Sequence, residues 1–208
     1  PYEFKARPWE LKKTETIDVF DAMGSSIRID SLGKTVLRVL PRLNEEINEE
    51  WINDKSRFAI DGLTKQRLDK PFMRKNSKFQ IVDWNTALSI IVTEINNRNK
   101  NKTLALSGKL TDIETLYSAK SFLNSIGSSS YDCRYDNAQF IANQRDSYIF
   151  NSSIQKIDDA DAILIIGSNP RWEATVLNAR IRKAYIHNNC KIGLIGKAID
   201  LTYTYKHL

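Results

Sequence analysis

The residue types that most often bind metals or act as nucleophiles are scarce in this chain, which has two cysteines and two histidines among 208 residues. Cys133 and Cys190 stand far apart, and only His187 lies near either of them. A zinc-type site needs about four ligands, so this set predicts no metal site. We therefore expect both cysteines to be ordinary reduced thiols, buried in the protein.

The histidines and acidic residues do not form a recognisable catalytic set either. His187 and His207 have no serine or cysteine at the spacing of a nucleophile elbow. Adjacent acidic residues occur within polar stretches, where solvated surface acids are more common than general acid–base pairs. These pairs are Glu45-Glu46, Glu49-Glu50 and Asp158-Asp159. The sequence accordingly predicts no catalytic residue.

The loop Gly167-Ser168-Asn169-Pro170 has a pattern that is compatible with ligand binding. It follows an apolar run and precedes a helical pattern, where an α/β sheet presents backbone N–H groups to a phosphate. The same residues can equally form a plain strand-to-helix connection that is capped by Asn169. The residues alone leave both interpretations open.

The segments around this loop predict the fold class. Residues 162–167 and 191–196 are apolar runs typical of parallel strands that are buried on both faces. Residues 171–187 have helical spacing of apolar positions, and Pro170 suits the first turn. Strand, helix and strand form a right-handed crossover unit, and several such units make an open sheet. We expect an α/β fold, a Rossmann-like doubly wound parallel sheet with a smaller β-rich amino-terminal region.

The amino-terminal region predicts a β-hairpin. Residues 26–30 and 35–40 alternate with a period of two, and Gly33 supplies the turn between them. The pattern changes near residue 80 from short irregular pieces to alternating strands and helices. We therefore expect two domains, residues 1–80 and residues 81–208.

Two helices and a short strand are predicted in the middle of the chain. Asp83 is a good N-cap for a helix with one apolar side, which we expect to lie in the core. Residues 103–107 predict a short buried strand. Thr111 or Asp112 is expected to cap a second helix, which ends near Gly127.

Charge and hydropathy exclude several functional classes. The net charge is +6, and the basic residues concentrate at positions 65–78 without the interleaved aromatics that single-strand nucleic-acid binders use. The longest apolar run, 162–167, is far shorter than the roughly 20 residues of a transmembrane helix. We expect neither nucleic-acid binding nor membrane insertion. Because Pro1 is not preceded by an initiator methionine, we also expect the chain to be a segment of a longer protein.

Several motifs, taken in their order along the chain, resemble the molybdopterin oxidoreductase family. They are Arg57-Phe58, residues 67–71 with Arg74, residues 84–88, and residues 160–162 leading into Gly167-Ser168-Asn169-Pro170. Within that family, three further stretches are similar to the large iron–sulfur subunits of respiratory complex I. These stretches are residues 7–14, residues 39–45, and residues 169–173 followed by 176–182.

The resemblance implies where cofactors would be bound. In these subunits a ferredoxin-like region holds 2Fe–2S and 4Fe–4S clusters, which would lie upstream of Pro1. Some members carry a further 4Fe–4S cluster on four cysteines, whose positions correspond here to Asp18, Asp21, Ser25 and Asn53. Since iron–sulfur clusters need thiolates, we expect a vestigial site and no cofactor in this segment. The resemblance thus implies that residues 1–80 resemble the 4Fe–4S domain of the family without its cluster ligands, and that residues 81–208 form an incomplete Rossmann-like domain.

The resemblance also gives the loop residues Gly167, Asn169 and Pro170 a possible origin, as a vestigial pterin-binding loop. It implies that the chain is a structural segment of a complex I subunit, scaffolding electron transfer from NADH to quinone in the peripheral arm. An alternative is a fragment of a pterin- or nucleotide-binding oxidoreductase.

The expected partners are other peripheral-arm subunits of complex I. They include the side of the NADH/FMN-binding subunit and the cluster-bearing part of the same subunit. The expected location is the inner-membrane-associated peripheral arm, facing the mitochondrial matrix or the bacterial cytoplasm.

Overall fold

The computed structural model describes residues 2, 4–98, 102–108, 110–133, 141 and 143–208. Within them the chain is mixed α/β, with a small antiparallel amino-terminal sheet and short parallel sheets. It divides into two compact units, the first combining the residues up to Lys65 with Ile149–Leu208, the second formed by Gln66–Tyr148. The expected domains, 1–80 and 81–208, follow a different division and stay a prediction.

The strands are β1 (Lys12–Ile17), β2 (Ser26–Leu32), β3 (Thr35–Pro41), β4 (Phe72–Lys75), β5 (Lys78–Ile81), β6 (Ala105–Leu106), β7 (Tyr131–Asp132), β8 (Ala162–Ile166), β9 (Lys191–Ile195) and β10 (Lys206–His207). The helices are α1 (Asp54–Phe58), α2 (Trp84–Asn97), α3 (Ile113–Ser125), α4 (Pro170–Glu173) and α5 (Thr175–Asn188). Short 3-10 helices cover Ala59–Leu63, Arg145–Ser147 and Ile154–Asp159.

The predicted hairpin is confirmed as β2 and β3, to which β1 adds as a third antiparallel strand. Gly33 has a φ of 58°, a left-handed conformation that favours glycine in a tight turn. The inner face of this sheet packs on the segment that follows it. The buried residues of this core are Ile27, Val39, Ile52 and Ile60.

Asn48 organises the polar stretch after β3. Its side chain is fully buried, accepts a hydrogen bond from Ser26 N at 2.8 Å and donates to the carbonyls of Arg42, Glu49 and Trp51. Buried backbone groups need partners, so one asparagine satisfies a loop that the sheet ladder does not reach.

In the first unit, β8, β9 and β10 form a parallel sheet with β9 in the centre. The predicted single helix between β8 and β9 is wrong, because the helix breaks into α4 and α5 at Ala174, where φ is −150° and ψ is 69°. Ala174 is buried beside Met23 and Val176. The non-helical backbone at Ala174 thus accompanies its packing against the amino-terminal part of the unit.

The prediction that the apolar strands are buried on both faces is also wrong. Ile165 is 7% exposed, whereas its neighbours Leu164 and Ile166 are 52% and 65% exposed. The described core of this sheet lies on the side of α5, where Ile181 and Ala184 pack against Ile165. The alternate residues of β8 point to the other face.

The second unit contains two two-stranded sheets, β4 with β5 and β6 with β7, and the helices α2 and α3. The predicted N-caps are confirmed: Asp83 accepts from Thr86 N and Asp112 accepts from Thr115 N, both at 2.9 Å. The expectation that one side of α2 lies in the core is wrong, since none of its side chains is buried by the described residues. The predicted strand at 103–107 shortens to β6, whose Leu106 is exposed.

No helix in the described ranges has the length and apolar character needed to cross a bilayer.

Asp30 forms a compact ion cluster on the antiparallel sheet. Its side chain is fully buried, and its two oxygens accept hydrogen bonds from Arg28 Nε at 2.9 Å and from Arg38 Nε at 2.6 Å. Burial by itself raises the pKa of Asp30, but the hydrogen bonds from the two arginines outweigh it, and the pKa lies below its usual range.

We expect Asp30→Asn to lower the free energy of unfolding at pH 7 by about 2 kcal/mol, because charge-assisted hydrogen bonds are lost. Since the folded pKa is depressed, this stabilisation is present above the unfolded pKa of about 3.9 and is lost as pH falls through the folded pKa. Urea unfolding of the variant and the unaltered chain at pH 7 and at about pH 3 measures the loss of unfolding free energy and its dependence on pH. The exposed Glu46→Gln is the matched control. An effect of Asp30→Asn that is equal at the two pH values would contradict the prediction.

Candidate functional site

The four sequence-predicted positions come together in the first unit, at the ends of three elements. Asp18 directly follows β1, Ser25 directly precedes β2, Asn53 is the N-cap of α1, and Asp21 lies in the turn between the strands. The backbone closes this turn, because Asp18 N donates to Ser25 O at 2.8 Å. The antiparallel pairing of β1 with β2 therefore places three of the positions side by side, and α1 brings the fourth.

The Asn53 side chain is the centre of this group. Its Nδ2 donates to Asp18 Oδ2 at 3.2 Å and to Asp21 Oδ2 at 2.6 Å, while its Oδ1 accepts from Ser56 N at 2.7 Å. The last bond caps the first turn of α1. One amide thus bridges two carboxylates and holds the start of the helix.

The group is largely shielded from solvent. Asp18, Ser25 and Asn53 are each at most 4% exposed. Asp18 also accepts hydrogen bonds from Ser56 Oγ and Phe20 N, and Asp21 accepts from Met23 N. Ser25 Oγ is buried without a hydrogen-bond partner among the described residues. We call Asp18, Asp21, Ser25 and Asn53 the polar cluster.

The second sequence-predicted site, the loop after β8, lies at the carboxyl ends of β8 and β9. Gly167 has a φ of 63°, and the loop borders a cavity of about 280 Å³ that Lys197 also lines. Two donors of the loop, a hydroxyl and a backbone N–H, are already bound to Glu173. Ser168 Oγ donates to Glu173 Oε2 at 2.9 Å, and Asn169 N donates to Glu173 Oε1 at 3.3 Å.

Arg180 is an important residue that the sequence reasoning did not single out. It lies on α5, is 2% exposed, and donates from Nη1 to Asp158 Oδ2 at 2.8 Å and from Nε to Ile47 O at 3.0 Å. The spacing could have indicated its burial, because Arg180 lies three residues after Leu177, on the apolar side of the helix, and next to Ile181.

The interpretation of the acid pairs as solvated faces is wrong for two members. Glu49 and Asp158 are only 22% and 19% exposed, and both are paired with Arg180 and Lys183. The hydrogen bonds to Glu49 and to Asp158 raise the pKa of Lys183. The two acids balance two basic side chains, which explains why they are tolerated in a mostly buried position.

The cysteines and histidines do not join either site. Cys190 is buried in the core, where desolvation raises the pKa of its thiol. Cys133 is exposed, contrary to the prediction, because it follows the short strand β7 outside any core cluster. His207 Nε2 lies 2.7 Å from the carbonyl of Gly196. Within the described ranges, no three His, Cys, Asp or Glu residues are arranged as a metal site.

Two families of known proteins match this chain. Residues 67–208 match the molybdopterin oxidoreductase family, and residues 11–61 match the 4Fe–4S domain of the NADH-ubiquinone oxidoreductase NDSU1/NuoG-like type. The match to the 4Fe–4S domain contains the whole polar cluster. The match to the molybdopterin oxidoreductase family contains the loop after β8.

Individual relatives are similar over the whole chain. The mitochondrial 78 kDa subunit of NADH-ubiquinone oxidoreductase from Neurospora crassa is 48% identical over 214 residues. The mitochondrial NADH dehydrogenase iron–sulfur protein 1 from Solanum tuberosum is 47% identical, and an NADH-quinone oxidoreductase subunit from Rickettsia conorii is 45% identical. Each alignment covers 100% of this chain but only 28–31% of the relative. The chain therefore spans less than a third of the length of these relatives.

The prediction that this segment carries no cofactor is wrong, because a 4Fe–4S domain type matches residues 11–61. The side chains of the polar cluster nevertheless do not fit an iron–sulfur cluster. They offer carboxylate, hydroxyl and amide groups, whereas such clusters are held mainly by thiolates. Both cysteines, Cys133 and Cys190, lie outside the matched residues.

The fold, the match over 67–208 and the chain-wide relatives agree with one another. The antiparallel sheet with the polar cluster falls in the iron–sulfur type of domain, and the strand-loop-helix segment after β8 falls in the oxidoreductase match. The chain belongs to the molybdopterin oxidoreductase family, in the branch formed by the large iron–sulfur subunits of complex I.

Proposed function

We propose that this chain is a structural segment of the large iron–sulfur subunit of an NADH:quinone oxidoreductase of the complex I type. The observation that carries the proposal is similarity to such subunits over 100% of the chain, at 45–48% identity. The enzyme is the whole complex. The segment scaffolds the transfer of electrons from NADH to quinone in the peripheral arm and supplies no catalytic residue itself.

Its partners follow from the same proposal. They are other subunits of the complex, including the side of the NADH/FMN-binding subunit and the cluster-bearing part of the same subunit, in an arm facing the mitochondrial matrix or the bacterial cytoplasm. The doubly wound, Rossmann-like arrangement belongs to the proposal too. It is supported by the parallel pair β8 and β9, with the helices α4 and α5 between them in sequence.

We further infer that Asp18, Asp21, Ser25 and Asn53 stand at the positions that bind a cluster in other family members. Their convergence within hydrogen-bonding distance supports this inference. In this chain Asp18, Asp21 and Asn53 act by hydrogen bonding, because Asn53 ties the turn after β1 to the first turn of α1.

A conservative double variant tests the structural role. In a complex whose large iron–sulfur subunit carries this segment, Asp18→Asn with Asp21→Asn keeps the shape of both side chains and removes both charges. We expect less assembled complex on a native gel, with NADH:quinone activity per assembled complex unchanged within about twofold, which is under 0.5 kcal/mol. The exposed Glu46→Gln serves as the control. A large loss of activity per assembled complex would refute a purely structural role.

The alternative, a fragment of a pterin- or nucleotide-binding oxidoreductase, has less support. It requires the loop after β8 to offer its donors to a phosphate, and Ser168 Oγ and Asn169 N are both occupied by the Glu173 carboxylate. A second anion beside that carboxylate would be repelled.

A further inference from the structure

The residues matched as the iron–sulfur type of domain share one compact unit with the carboxyl-terminal stretch of the chain. They lie in the first unit together with Ile149–Leu208, although the second unit, Gln66–Tyr148, separates the two stretches in sequence. Met23 from the amino-terminal stretch is buried against Ala174 and Val176, and Ala22 N donates to the carbonyl of Glu173.

Arg180 makes the most specific connection between the two stretches. Its guanidinium donates to Ile47 O and Glu45 O in the loop after β3, and to Asp158 in the 3-10 helix before β8. The loop carbonyls are 133 and 135 residues away in sequence. A guanidinium can serve several acceptors at once because its N–H groups point in fixed, diverging directions.

The charges around Arg180 are balanced and partly shared. Lys183, one turn later on α5, binds Glu49 Oε1 at 2.6 Å and Asp158 Oδ2 at 3.0 Å, and Glu49 Oε1 is 3.6 Å from Arg180 Nη1. Glu49 belongs to the amino-terminal stretch and Asp158 to the carboxyl-terminal one. Arg180 and Lys183 therefore each pair with one acid from the amino-terminal stretch and one from the carboxyl-terminal stretch.

We propose that α5 completes the amino-terminal iron–sulfur type of domain and that Arg180 is the positioning residue, so that the two stretches fold and open as one cooperative body. Apolar contacts alone tolerate sliding, whereas a buried charge with several fixed acceptors is satisfied in one register only. Losing Arg180 leaves Asp158 with less compensation and removes a donor from two loop carbonyls.

Hydrogen exchange of the full chain tests this, with Arg180→Met as the variant. We expect the amides of β2 and β3 to lose protection at least tenfold, and those of β8 and β9 to lose it by the same factor, as in a single cooperative unit. Arg98→Met is the matched control, because Arg98 forms an exposed pair with Glu94 at i,i+4, and β2 and β3 should then change less than twofold.

Arg180→Lys keeps the positive charge but lacks the diverging N–H groups of a guanidinium. This variant is measured in its place if Arg180→Met does not fold. The same joint loss of protection in β2, β3, β8 and β9 is expected, to a smaller degree. The proposal is overturned if either variant weakens β8 and β9 while β2 and β3 keep their protection within twofold. It is equally overturned if neither pair of strands responds.

Discussion

Replacing Asn53 with alanine is expected to lower the free energy of unfolding by about 3 kcal/mol. Two losses add up. The N-cap of α1 disappears with the acceptor for Ser56 N, which costs roughly 1 kcal/mol. In addition, the bridge from Nδ2 to Asp18 and Asp21 is removed, leaving two carboxylates close together with fewer donors. Urea unfolding followed by circular dichroism measures the change.

Three further variants separate these two losses. Asp112→Ala removes an exposed N-cap from α3 and is the matched control for capping alone, with an expected cost of about 1 kcal/mol. Asn53→Ser keeps a capping oxygen, but its side chain is too short to reach the two carboxylates. Its cost in unfolding free energy should therefore lie between those of Asp112→Ala and Asn53→Ala. Asn53→Asp replaces the bridging donor with a third negative charge and should cost more than serine at neutral pH. An alanine variant no worse than Asp112→Ala would show that the bridge contributes nothing.

The second large effect is a gain. We expect the quadruple variant Asp18→Cys, Asp21→Cys, Ser25→Cys and Asn53→Cys to bind about four iron atoms per chain after anaerobic reconstitution with iron and sulfide. Four thiolates would then stand where the polar cluster now lies, with backbone already held by the bond from Asp18 N to Ser25 O. Metal binding also contributes to folding, which offsets the lost hydrogen bonds. Iron analysis and visible absorbance give the result.

Matched controls make this gain specific. The unaltered chain and the triple variant that keeps Asn53 are reconstituted in parallel, and the triple variant should bind less iron because one ligand is missing. Circular dichroism checks that each variant is folded. If the quadruple variant binds no more iron than the unaltered chain, the four positions do not correspond to cluster ligands.

Much of the fold was predictable because it depends on neighbours in sequence. The alternation in β2 and β3, the turn at Gly33, and the N-caps Asp83 and Asp112 are local features, and the structure confirms them. The break at Ala174 was not predictable in this way. Residues 171–187 have continuous helical spacing. The non-helical backbone at Ala174 goes with its burial beside Met23, a residue from the amino-terminal part of the chain.

Burial was the least predictable property. An apolar side predicted a core helix at α2, yet none of its side chains is buried by the described residues. Conversely, Asp30, Glu49 and Asp158 have the composition of surface residues and lie mostly buried beside arginines. Periodicity tells which residues share a face, but not what covers that face.

The sequence by itself determined the hairpin of β2 and β3 and the N-caps Asp83 and Asp112, because these depend on residue types at fixed spacing along the chain. Its resemblance to a known family determined the family and supplied the four positions of the polar cluster. The tertiary structure alone decided how those positions are held and what joins the first unit together. Asn53 can bridge Asp18 and Asp21 only once β1, β2 and α1 are packed. Arg180 meets its loop acceptors across more than a hundred residues of chain. Such contacts depend on which distant segments come together, and that information is not contained in local spacing.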